Sequence, residues 1–324
     1  MKRRELVTAT FAAASLCAIG GSALAQAYPN KPIRFVVPFT AGSGTDIVAR
    51  AIGDAMAKSM GQPIIVDNRP GAGGTIAAAQ VAKAEPDGYA VLIHSSGHAL
   101  NPALYPNLPY DTLKDLTGIT PLAALPNVMV VSPARGWNSV ADVVAAAKAK
   151  PGQLNYASAG IGSATHLNAE KFKLLAGIDA LHIPFKGTPE ALNDVMGGRT
   201  DWFFSPLSSA LSLIRSGKLQ ALAVSTPVRS PTLPQVPTTV EAGVPGSEYT
   251  FWVGMIVASR TPPAVIQRLH DEVLKALAQP DVKERLAQLG ADPFTMTPEA
   301  FNAYIKTEME SAARIAKAAN LQGQ

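Results

Sequence analysis

The sequence predicts an α/β protein of two domains, and two observations carry this prediction. From Ile33 onward, short apolar runs alternate with longer segments in which apolar side chains recur at helical spacing. Alternation of this kind is typical of a parallel sheet with helices packed on its faces. Two proline-rich, irregular zones, near 100–127 and 227–250, bracket a middle block that has strand–helix units of its own. One domain is therefore expected to be assembled from both ends of the chain, with a second domain inserted into it.

The predicted bounds of the domains follow from these zones. Each domain is expected to hold a mostly parallel sheet flanked by helices, and the two crossing segments are expected to act as a hinge beside a cleft. Residues 26–126 form the first part of domain 1, residues 127–248 form domain 2, and residues 249–324 complete domain 1 with the C-terminal helices.

A glycine-rich turn after the first apolar run is the first candidate for function. The run Ile33–Val37 leads through Phe39 into Gly42-Ser43-Gly44-Thr45-Asp46, and helical spacing begins directly afterwards. A strand that enters a helix in this way leaves free backbone N–H groups at the positive end of the helix dipole. We therefore predict that this loop binds an anion, either a phosphate or a carboxylate. The alternative reading is a tight turn with Thr45 as the helix cap, and Asp46 is expected mainly to accept backbone N–H bonds in the first helical turn.

A second loop of the same kind occurs in the middle block. An apolar stretch after Leu154 leads into Gly160-Ile161-Gly162-Ser163, and a helical pattern follows from Thr165 to Ala176. By the spacing of their glycines, the two loops align Gly42, Gly44 and Thr45 with Gly160, Gly162 and Ser163. Two such loops, one in each predicted domain, suggest two jaws that grip a single anionic ligand.

The candidate ligand contacts lie in these loops and at the ends of nearby strands. Phe39 follows a proline at a strand end and is expected to form a wall of the cleft. His166 lies at the start of the second helix, where a neutral imidazole is favoured and can donate a hydrogen bond to a carboxylate. Ser95 and Ser96 end a further strand. The full set of predicted ligand-binding residues is Phe39, Gly42, Ser43, Gly44, Thr45, Asp46, Ser96, Ser158, Gly160, Gly162, Ser163, Thr165, His166 and Ser205.

Residues 1–25 are expected to be a cleaved signal peptide. Lys2-Arg3-Arg4 is a basic start, Leu6–Gly20 is apolar, and Ala23-Leu24-Ala25 matches a cleavage site, so we predict export to the periplasm after cleavage behind Ala25. The arginine pair leaves both the general and the twin-arginine export routes open. Cys17, the one cysteine of the chain, lies in this segment, so neither disulfides nor cysteine–metal sites are expected in the exported protein.

Composition and motifs argue against several other classes of protein. The formal net charge is only +4 and the basic residues do not cluster, which argues against nucleic-acid binding. The glycine loops complete neither a dinucleotide-binding motif nor a phosphate-binding P-loop, and no nucleophile elbow occurs. His94 and His98 lack further ligands, so no metal and no cofactor are expected. A Ser163–His166 hydrolase is one alternative, but a binding protein without catalysis, acting as a monomer, is the main prediction.

Several segments together resemble one known family. They are Pro29–Asp46, Asn68–Gly74, Pro86–Tyr89 and Phe185–Gly187, which follow one another in the family's order across essentially the whole exported chain. They are similar to the Bug (TctC-like) periplasmic solute-binding proteins, the extracytoplasmic component of tripartite tricarboxylate transporters. The resemblance implies a two-domain Venus-flytrap fold, type II-like, that holds a small carboxylate between two strand-to-helix loops. It also implies the large and small transmembrane subunits of such a transporter as partners.

Two departures from the family pattern bear on the ligand. Thr40-Ala41-Gly42 stands where members usually have Pro-Gly-Gly, and Ser205-Pro206 stands where many have an aspartate. The missing acid argues against an amine-bearing ligand such as an amino acid and leaves mono-, di- and tricarboxylates open. Within the same fold, a sensor that presents a carboxylate to a membrane receptor is the alternative to a transport protein.

Overall fold

The computed structural model describes residues 28–321, which form two sheets with helices packed on both faces of each. Domain 1 is built on a six-stranded sheet. In spatial order its strands are β11 (Asp292–Pro293), β4 (Leu116–Leu125), β10 (Phe251–Ala258), β3 (Ala90–Ser95), β1 (Ile33–Val37) and β2 (Ile64–Asn68). Domain 2 is built on a five-stranded sheet. Its strands, in spatial order, are β7 (Leu181–Pro184), β6 (Asn155–Ser158), β8 (Trp202–Pro206), β5 (Asn127–Val131) and β9 (Gln220–Val224).

The helices connect the strands and cover the sheets. They are α1 (Gly44–Met60), α2 (Thr75–Ala82), α3 (Asn101–Leu104), α4 (Val140–Ala149), α5 (Ala164–Ala176), α6 (Thr188–Met196), α7 (Leu207–Arg215), α8 (Pro263–Ala278), α9 (Pro280–Gln288) and α10 (Pro298–Ala318). Short 3-10 helices occupy Ala72–Gly74, Ser96–Ala99 and Pro133–Arg135. Among residues 28–321, none of the helices has the length and apolar character that crossing a bilayer requires.

Each domain has its own core. In domain 1, Phe35 and Ile52 pack on one face of the sheet, while α10 covers the other face through Phe301 and Ile305. The apolar side of α10 follows the spacing expected from the sequence. In domain 2, Phe172 of α5 packs edge-to-face against Trp202, whose ring is stacked with that of Tyr156. The two cores hold the strand ends, and therefore the loops, in fixed positions.

The prediction of mostly parallel sheets is wrong, because both sheets are mixed. Strand β1 pairs in parallel with β2 and β3, and β6 pairs in parallel with β7 and β8. Strand β10 is antiparallel to β3 and β4, and β5 is antiparallel to β8 and β9. These two are the first strands after the chain changes domain. The parallel strands of the strand–helix units end at the cleft. A chain that crosses between the domains at the cleft enters the next sheet from that edge, and its first strand therefore runs away from the cleft, antiparallel to the others.

The zone near 100–127, expected to be irregular, contains the ten-residue strand β4. Gly118 and Pro121 lie inside this strand and interrupt its apolar pattern, so the pattern does not indicate a strand. The pairing of β4 with β10 shifts register beside Gly254, which lies opposite Pro121. A register shift of this kind lets a sheet accept a proline, which has no N–H to donate.

The chain passes from the first sheet to the second at Pro126 and returns between Val224 and Phe251. The domain bounds drawn from the sequence stay a prediction. The signal peptide predicted for residues 1–25, with Cys17 and the cleavage site, lies outside the described residues.

Candidate ligand-binding site

Two loops with matching backbone geometry face each other across the cleft. Loop one (Phe39–Asp46) connects β1 to α1, and loop two (Ser158–His166) connects β6 to α5. Each helix begins after an N-cap serine in extended conformation: Ser43 has φ −69° and ψ 154°, and Ser163 has φ −72° and ψ 158°. The glycines before them, Gly42 and Gly162, have φ of +85° and +83°, a region that residues with a Cβ rarely adopt.

This geometry corrects the alignment of the two loops. The N–H of Ser43 donates to the carbonyl of Thr40 at 3.1 Å, and the N–H of Ser163 donates to the carbonyl of Gly160 at 3.0 Å. Gly42-Ser43 therefore corresponds to Gly162-Ser163, and the alignment by glycine spacing is wrong by two residues. The left-handed glycine and the N-cap serine define the turn, so Ser43 rather than Thr45 is the cap residue of α1.

Asp46 braces loop one from behind. Its carboxylate accepts the N–H of Gly42 at 2.9 Å and the side-chain amide of Asn68 at 2.9 Å. Arg50 lies 3.0 Å from the same carboxylate, which is only 3% exposed. The carboxylate is thus surrounded by donors of its own domain.

His166 occupies in loop two the position that Asp46 has in loop one. The N–H of Gly162 lies 3.4 Å from His166 Nδ1, so Nδ1 accepts and the imidazole proton is on Nε2. Glu170 lies 4.0 Å from Nε2. Burial lowers the pKa of His166 to about 4, although the Glu170 carboxylate raises it. The brace of loop two is therefore a neutral imidazole at neutral pH.

A second imidazole supports the first. The rings of His166 and His182 are stacked with centroids 4.1 Å apart, and the ring of Tyr156 is stacked with that of His182 at 4.9 Å. Ser158 Oγ accepts the N–H of Gly160 at 3.0 Å and is hydrogen-bonded to His182 Nε2 at 2.5 Å. Burial, with His166 and Lys173 nearby, lowers the pKa of His182 to about 2. Loop two thus rests on a stack of uncharged rings.

The two loops enclose a central cavity between the domains. Its volume is about 10 Å³, which is room for roughly one water molecule. Its lining consists of Phe39, Ser43, Gly44, Thr45, Ser95, Ala159, Ser163, Ala164, Thr165, Thr188, Pro206 and Phe251. This lining contains hydroxyl, backbone and apolar groups, and no Asp, Glu, Lys, Arg or His.

Four helices begin at the central cavity. Helix α1 of domain 1 begins at Gly44, while α5, α6 and α7 of domain 2 begin at Ala164, Thr188 and Leu207, the last directly after Pro206. Each helix start supplies N–H groups without intrahelical partners and the positive end of a dipole. Since no carboxylate lines the cavity to offset this potential, the site favours an anion.

Domain 2 fastens loop one by hydrogen bonds from two of these helices. Three bonds join loop one to domain 2 across the cleft: Thr40 Oγ1 donates to Glu190 at 2.9 Å, the N–H of Thr188 donates to Ser43 Oγ at 3.1 Å, and Ser209 Oγ donates to the carbonyl of Gly42 at 3.0 Å. The described arrangement is therefore one in which the two jaws are closed on each other.

Domain 1 approaches loop two mainly with backbone. A Cβ on Gly97 would lie 2.8 Å from the nitrogen of Ala164, and a Cβ on Gly73 would overlap the carbonyl oxygen of Ile161. Tyr105 adds one side-chain bond, donating its hydroxyl to the same carbonyl at 2.9 Å. Only glycine permits this approach at positions 73 and 97.

A larger outer cavity of about 340 Å³ adjoins the central one. Phe39 and Ala159 line both cavities. The remaining lining of the outer cavity is Gly71, Ala72, Gly73, Tyr105, Gly160, Ile161, Pro184, Phe185 and Lys186.

The predicted site residues fall into four groups by position. Six line the central cavity: Phe39, Ser43, Gly44, Thr45, Ser163 and Thr165. Gly160 lines the outer cavity, while Gly42, Asp46, Ser158, Gly162 and His166 lie behind the loops and shape them. Ser96 and Ser205 are not brought to either cavity. Ser96 Oγ instead lies 3.0 Å from the hydroxyl of Tyr249, and Ser205 Oγ donates to the carbonyl of Pro206 at 3.1 Å.

Ser95, rather than its neighbour, faces the central cavity. Its side chain is fully buried, and its hydroxyl has no hydrogen-bond partner among the described residues. Successive side chains of a strand point to opposite faces, so one residue of the Ser95-Ser96 pair must face away. The sequence places both at a strand end, and only the structure shows which one turns inward.

Thr188, Pro206 and Phe251 also line the central cavity and were missed. Thr188 follows β7 in a third strand-to-helix turn, Phe185-Lys186-Gly187-Thr188, whose order of elements is the signal that the first two loops share. Phe251 begins an antiparallel strand at the cleft edge, and no sequence pattern distinguishes it from a core residue.

The arrangement does not form a hydrolase site from Ser163 and His166. Ser163 Oγ accepts the backbone N–H of His166 at 3.3 Å, while the imidazole Nδ1 faces Gly162 instead. His94 and His98 have rings 5.3 Å apart, and within residues 28–321 no three His, Cys, Asp or Glu side chains are grouped to hold a metal ion.

Comparison with known proteins places these features in a family. Residues 48–321 match the profile of the tripartite tricarboxylate transporter family receptor (TctC). The structure of the periplasmic binding protein BugD is 35% identical, with a TM-score of 0.87 over 92% of this chain and 100% of BugD. The structure of Rpa4515 of R. palustris with adipate is 33% identical, with a TM-score of 0.88 over 92% of this chain and 100% of that one. MatC (Rpa3494) of Rhodopseudomonas palustris with bound malate is 33% identical, with a TM-score of 0.84 over 89% and 99%.

These matches confirm the two-domain Venus-flytrap fold. The family and its solved members are periplasmic solute-binding proteins and not enzymes. The chain therefore belongs to the tripartite tricarboxylate transporter receptor family, as a Bug/TctC-type periplasmic solute-binding protein.

Proposed function

We propose that the protein captures a small carboxylate at the central cavity and delivers it to a tripartite tricarboxylate-type membrane transporter. The observation that carries this proposal is the convergence of four helix N-termini on a cavity without a charged side chain in its lining. Backbone N–H groups and hydroxyls are donors for an acceptor-only oxyanion, and the dipoles add a positive potential.

A carboxylate suits this lining better than a phosphate. Phosphate carries up to two charges and is usually held with the help of Arg or Lys, and neither residue lines the central cavity. A carboxylate carries one charge, which partial charges at helix starts can offset. Solved members of the family hold adipate and malate, and both molecules are carboxylates.

Closure of the two domains couples the donors to the ligand. Loop one belongs to domain 1 and loop two to domain 2, so an open cleft offers a ligand only part of the donor set. The central cavity of about 10 Å³ is smaller than a carboxylate group, so the ligand enters while the domains are apart and keeps them further apart at this point than in this structure. Closure then adds the interdomain hydrogen bonds and excludes water, which strengthens every polar contact inside.

The remaining features of the proposal concern the protein outside its site. We propose cleavage after Ala25, a monomer in the periplasm, and domains formed by residues 26–126 with 249–324 and by residues 127–248. Delivery to transmembrane subunits distinguishes transport from sensing. Deleting those subunits should abolish uptake of the ligand, whereas a sensor's transcriptional response would persist.

A thermal-shift panel tests the proposal. The purified protein is screened against mono-, di- and tricarboxylates and amino acids, before and after refolding from denaturant to release any ligand that copurifies. A ligand at a hundred times its Kd should stabilise the fold by about 2.7 kcal/mol. A carboxylate that does so, and is recovered chemically unchanged, supports capture without catalysis. A protein that no carboxylate stabilises after refolding would contradict the proposal.

A matched pair of variants locates the effect. A Cβ on Gly44 would lie 2.8 Å from Cβ of Pro206 across the cleft, so Gly44→Ala should weaken the ligand's effect. Gly61→Ala places its Cβ in open space and should leave ligand binding unchanged. Equal ligand effects in the two variants would place the site elsewhere.

A further inference from the structure

The outer cavity lies next to the central one. Phe39 and Ala159 form part of the lining of both. A ligand whose carboxylate lies among the helix N-termini must therefore extend the rest of its structure into the outer cavity. The outer cavity has about 340 Å³, whereas an apolar cavity of roughly 150 Å³ suffices for a benzene ring.

Apolar side chains from both domains surround this space. Phe39 and Tyr105 come from domain 1, and Ile161, Pro184 and Phe185 come from domain 2. The other walls are glycine and alanine, which bring the two backbones together without adding polar side chains. Closure would therefore bury the distal part of a ligand between two apolar surfaces.

The lining of the outer cavity contains no buried charged side chain that could pair with a second carboxylate. The hydroxyl of Tyr105 already donates to the carbonyl of Ile161 at 2.9 Å. Lys186 is the one charged residue in the lining, and it is exposed. An exposed ammonium remains hydrated and contributes little to an ion pair, whereas burying a carboxylate without partners is unfavourable.

We infer that the ligand is a monocarboxylate with an apolar tail, of medium chain length or the size of one aromatic ring, in preference to a di- or tricarboxylate. This inference rests on the proposed carboxylate site and adds the chemical class of the distal part. The apolar tail lies between Phe39 and Tyr105 on one side and Ile161 and Phe185 on the other. The exposed Lys186 takes no part in holding it.

Calorimetry with matched acids tests the inference. Hexanoate and adipate have the same carbon chain and differ in the far carboxylate, and phenylacetate adds a ring. We expect hexanoate or phenylacetate to bind at least about tenfold more tightly than adipate. Adipate binding more tightly than both would overturn the inference while leaving the carboxylate site intact. Absence of binding by every carboxylate, including acetate, malate and citrate, would instead contradict the proposed function itself.

Two variants distinguish apolar contacts with the ligand's tail from an effect of the charge of Lys186. Ile161→Ser should weaken the apolar acids by about three- to tenfold and change acetate little. Lys186→Met should leave the affinity for the apolar acids unchanged or raise it. If Ile161→Ser leaves that affinity unchanged, the tail does not lie in the outer cavity. If Lys186→Met lowers it tenfold, Lys186 takes part in holding the ligand and the inference of an uncharged, apolar tail is overturned.

Discussion

Loop one and loop two have one backbone but different braces. In both, a left-handed glycine precedes an N-cap serine, and the third helical residue reaches back to the glycine N–H. In loop one that residue is Asp46, a carboxylate paired with Arg50, and in loop two it is His166, a neutral imidazole stacked on His182. The two loops therefore share the turn and its N–H groups, whereas the side chain that supports the turn differs between the domains.

Asp46 and His166 also differ in the interactions on which the conformation of each loop depends. Asp46 offers two oxygens to several donors at once, so loop one depends on a hydrogen-bond network. His166 offers a single acceptor to Gly162, so loop two depends on the imidazole remaining neutral and on aromatic packing.

Asp46→Ala should have the largest effect. It leaves the N–H of Gly42 and the amide of Asn68 without their acceptor at a nearly buried position. We expect the free energy of unfolding to fall by about 3 kcal/mol, measured by urea denaturation. Asp54→Ala is the control, because Asp54 lies on the same helix but its side chain is 64% exposed. It should cost less than about 1 kcal/mol, and an equal loss in both variants would deny Asp46 its role.

Gly97→Ala should act on loop two without acting on either domain. Its Cβ would lie 2.8 Å from the nitrogen of Ala164 and 2.9 Å from the carbonyl oxygen of Gly162, both across the cleft. Overpacking by one methyl costs about 2 kcal/mol, so ligand affinity should fall by roughly thirtyfold. Calorimetry measures the affinity, and urea denaturation without ligand serves as the control. Unchanged affinity would mean that closure does not bring these backbones together.

The pH dependence of stability should distinguish the two braces. The pKa of His166 is lowered to about 4 by burial, so below pH 6.5 the unfolded chain binds a proton that the folded chain excludes. The stabilising contribution of the neutral imidazole is full above pH 6.5 and is lost as pH falls toward 4. Between pH 6 and 5 the wild type should lose about 1 kcal/mol more than His166→Asn, whose amide oxygen can still accept from Gly162. Parallel stability profiles for the two proteins would show that His166 does not titrate in this way.

The smallest predicted effect separates Gly42 from Gly162. Both have positive φ, so an alanine at either position should cost about 1–2 kcal/mol of stability through backbone strain. At Gly162 the added Cβ would also lie 2.9 Å from Asn101 across the cleft, whereas at Gly42 it would meet Pro189 at 3.4 Å. Gly162→Ala should therefore weaken ligand binding about fivefold more than Gly42→Ala. The same affinity in both variants would contradict the closer approach of the domains at loop two.

The sequence predicts the strand–helix order and the two loops, because apolar periodicity and glycine-rich turns are local signals. It does not predict the correct alignment of the loops, since φ and cap geometry, not glycine spacing, relate Gly42 to Gly162. Strand β4 was concealed by Gly118 and Pro121, which a register shift in the sheet accommodates.

Contacts between the domains are the least predictable part of the site. The approach of the α6 and α7 N-termini to loop one depends on how the two sheets are placed relative to each other. Which serine of the Ser95-Ser96 pair faces the cavity depends on the orientation of β3 in its sheet. The spacing of residues along the sequence does not indicate how the two domains pack against each other. Asp46 and His166 were recognised as residues of the loops, yet their equivalence appears only from their bonds to the preceding glycines.

Paired calorimetric titrations of acids and their amides test the central claim most directly. Hexanoate with hexanamide, phenylacetate with phenylacetamide, and succinate with succinamide differ in charge at nearly constant shape. If helix N-termini hold an anion, at least one acid should bind, and its amide should bind at least about a hundredfold more weakly. Amides that bind as tightly as their acids would contradict the claim that the four helix starts recognise a carboxylate.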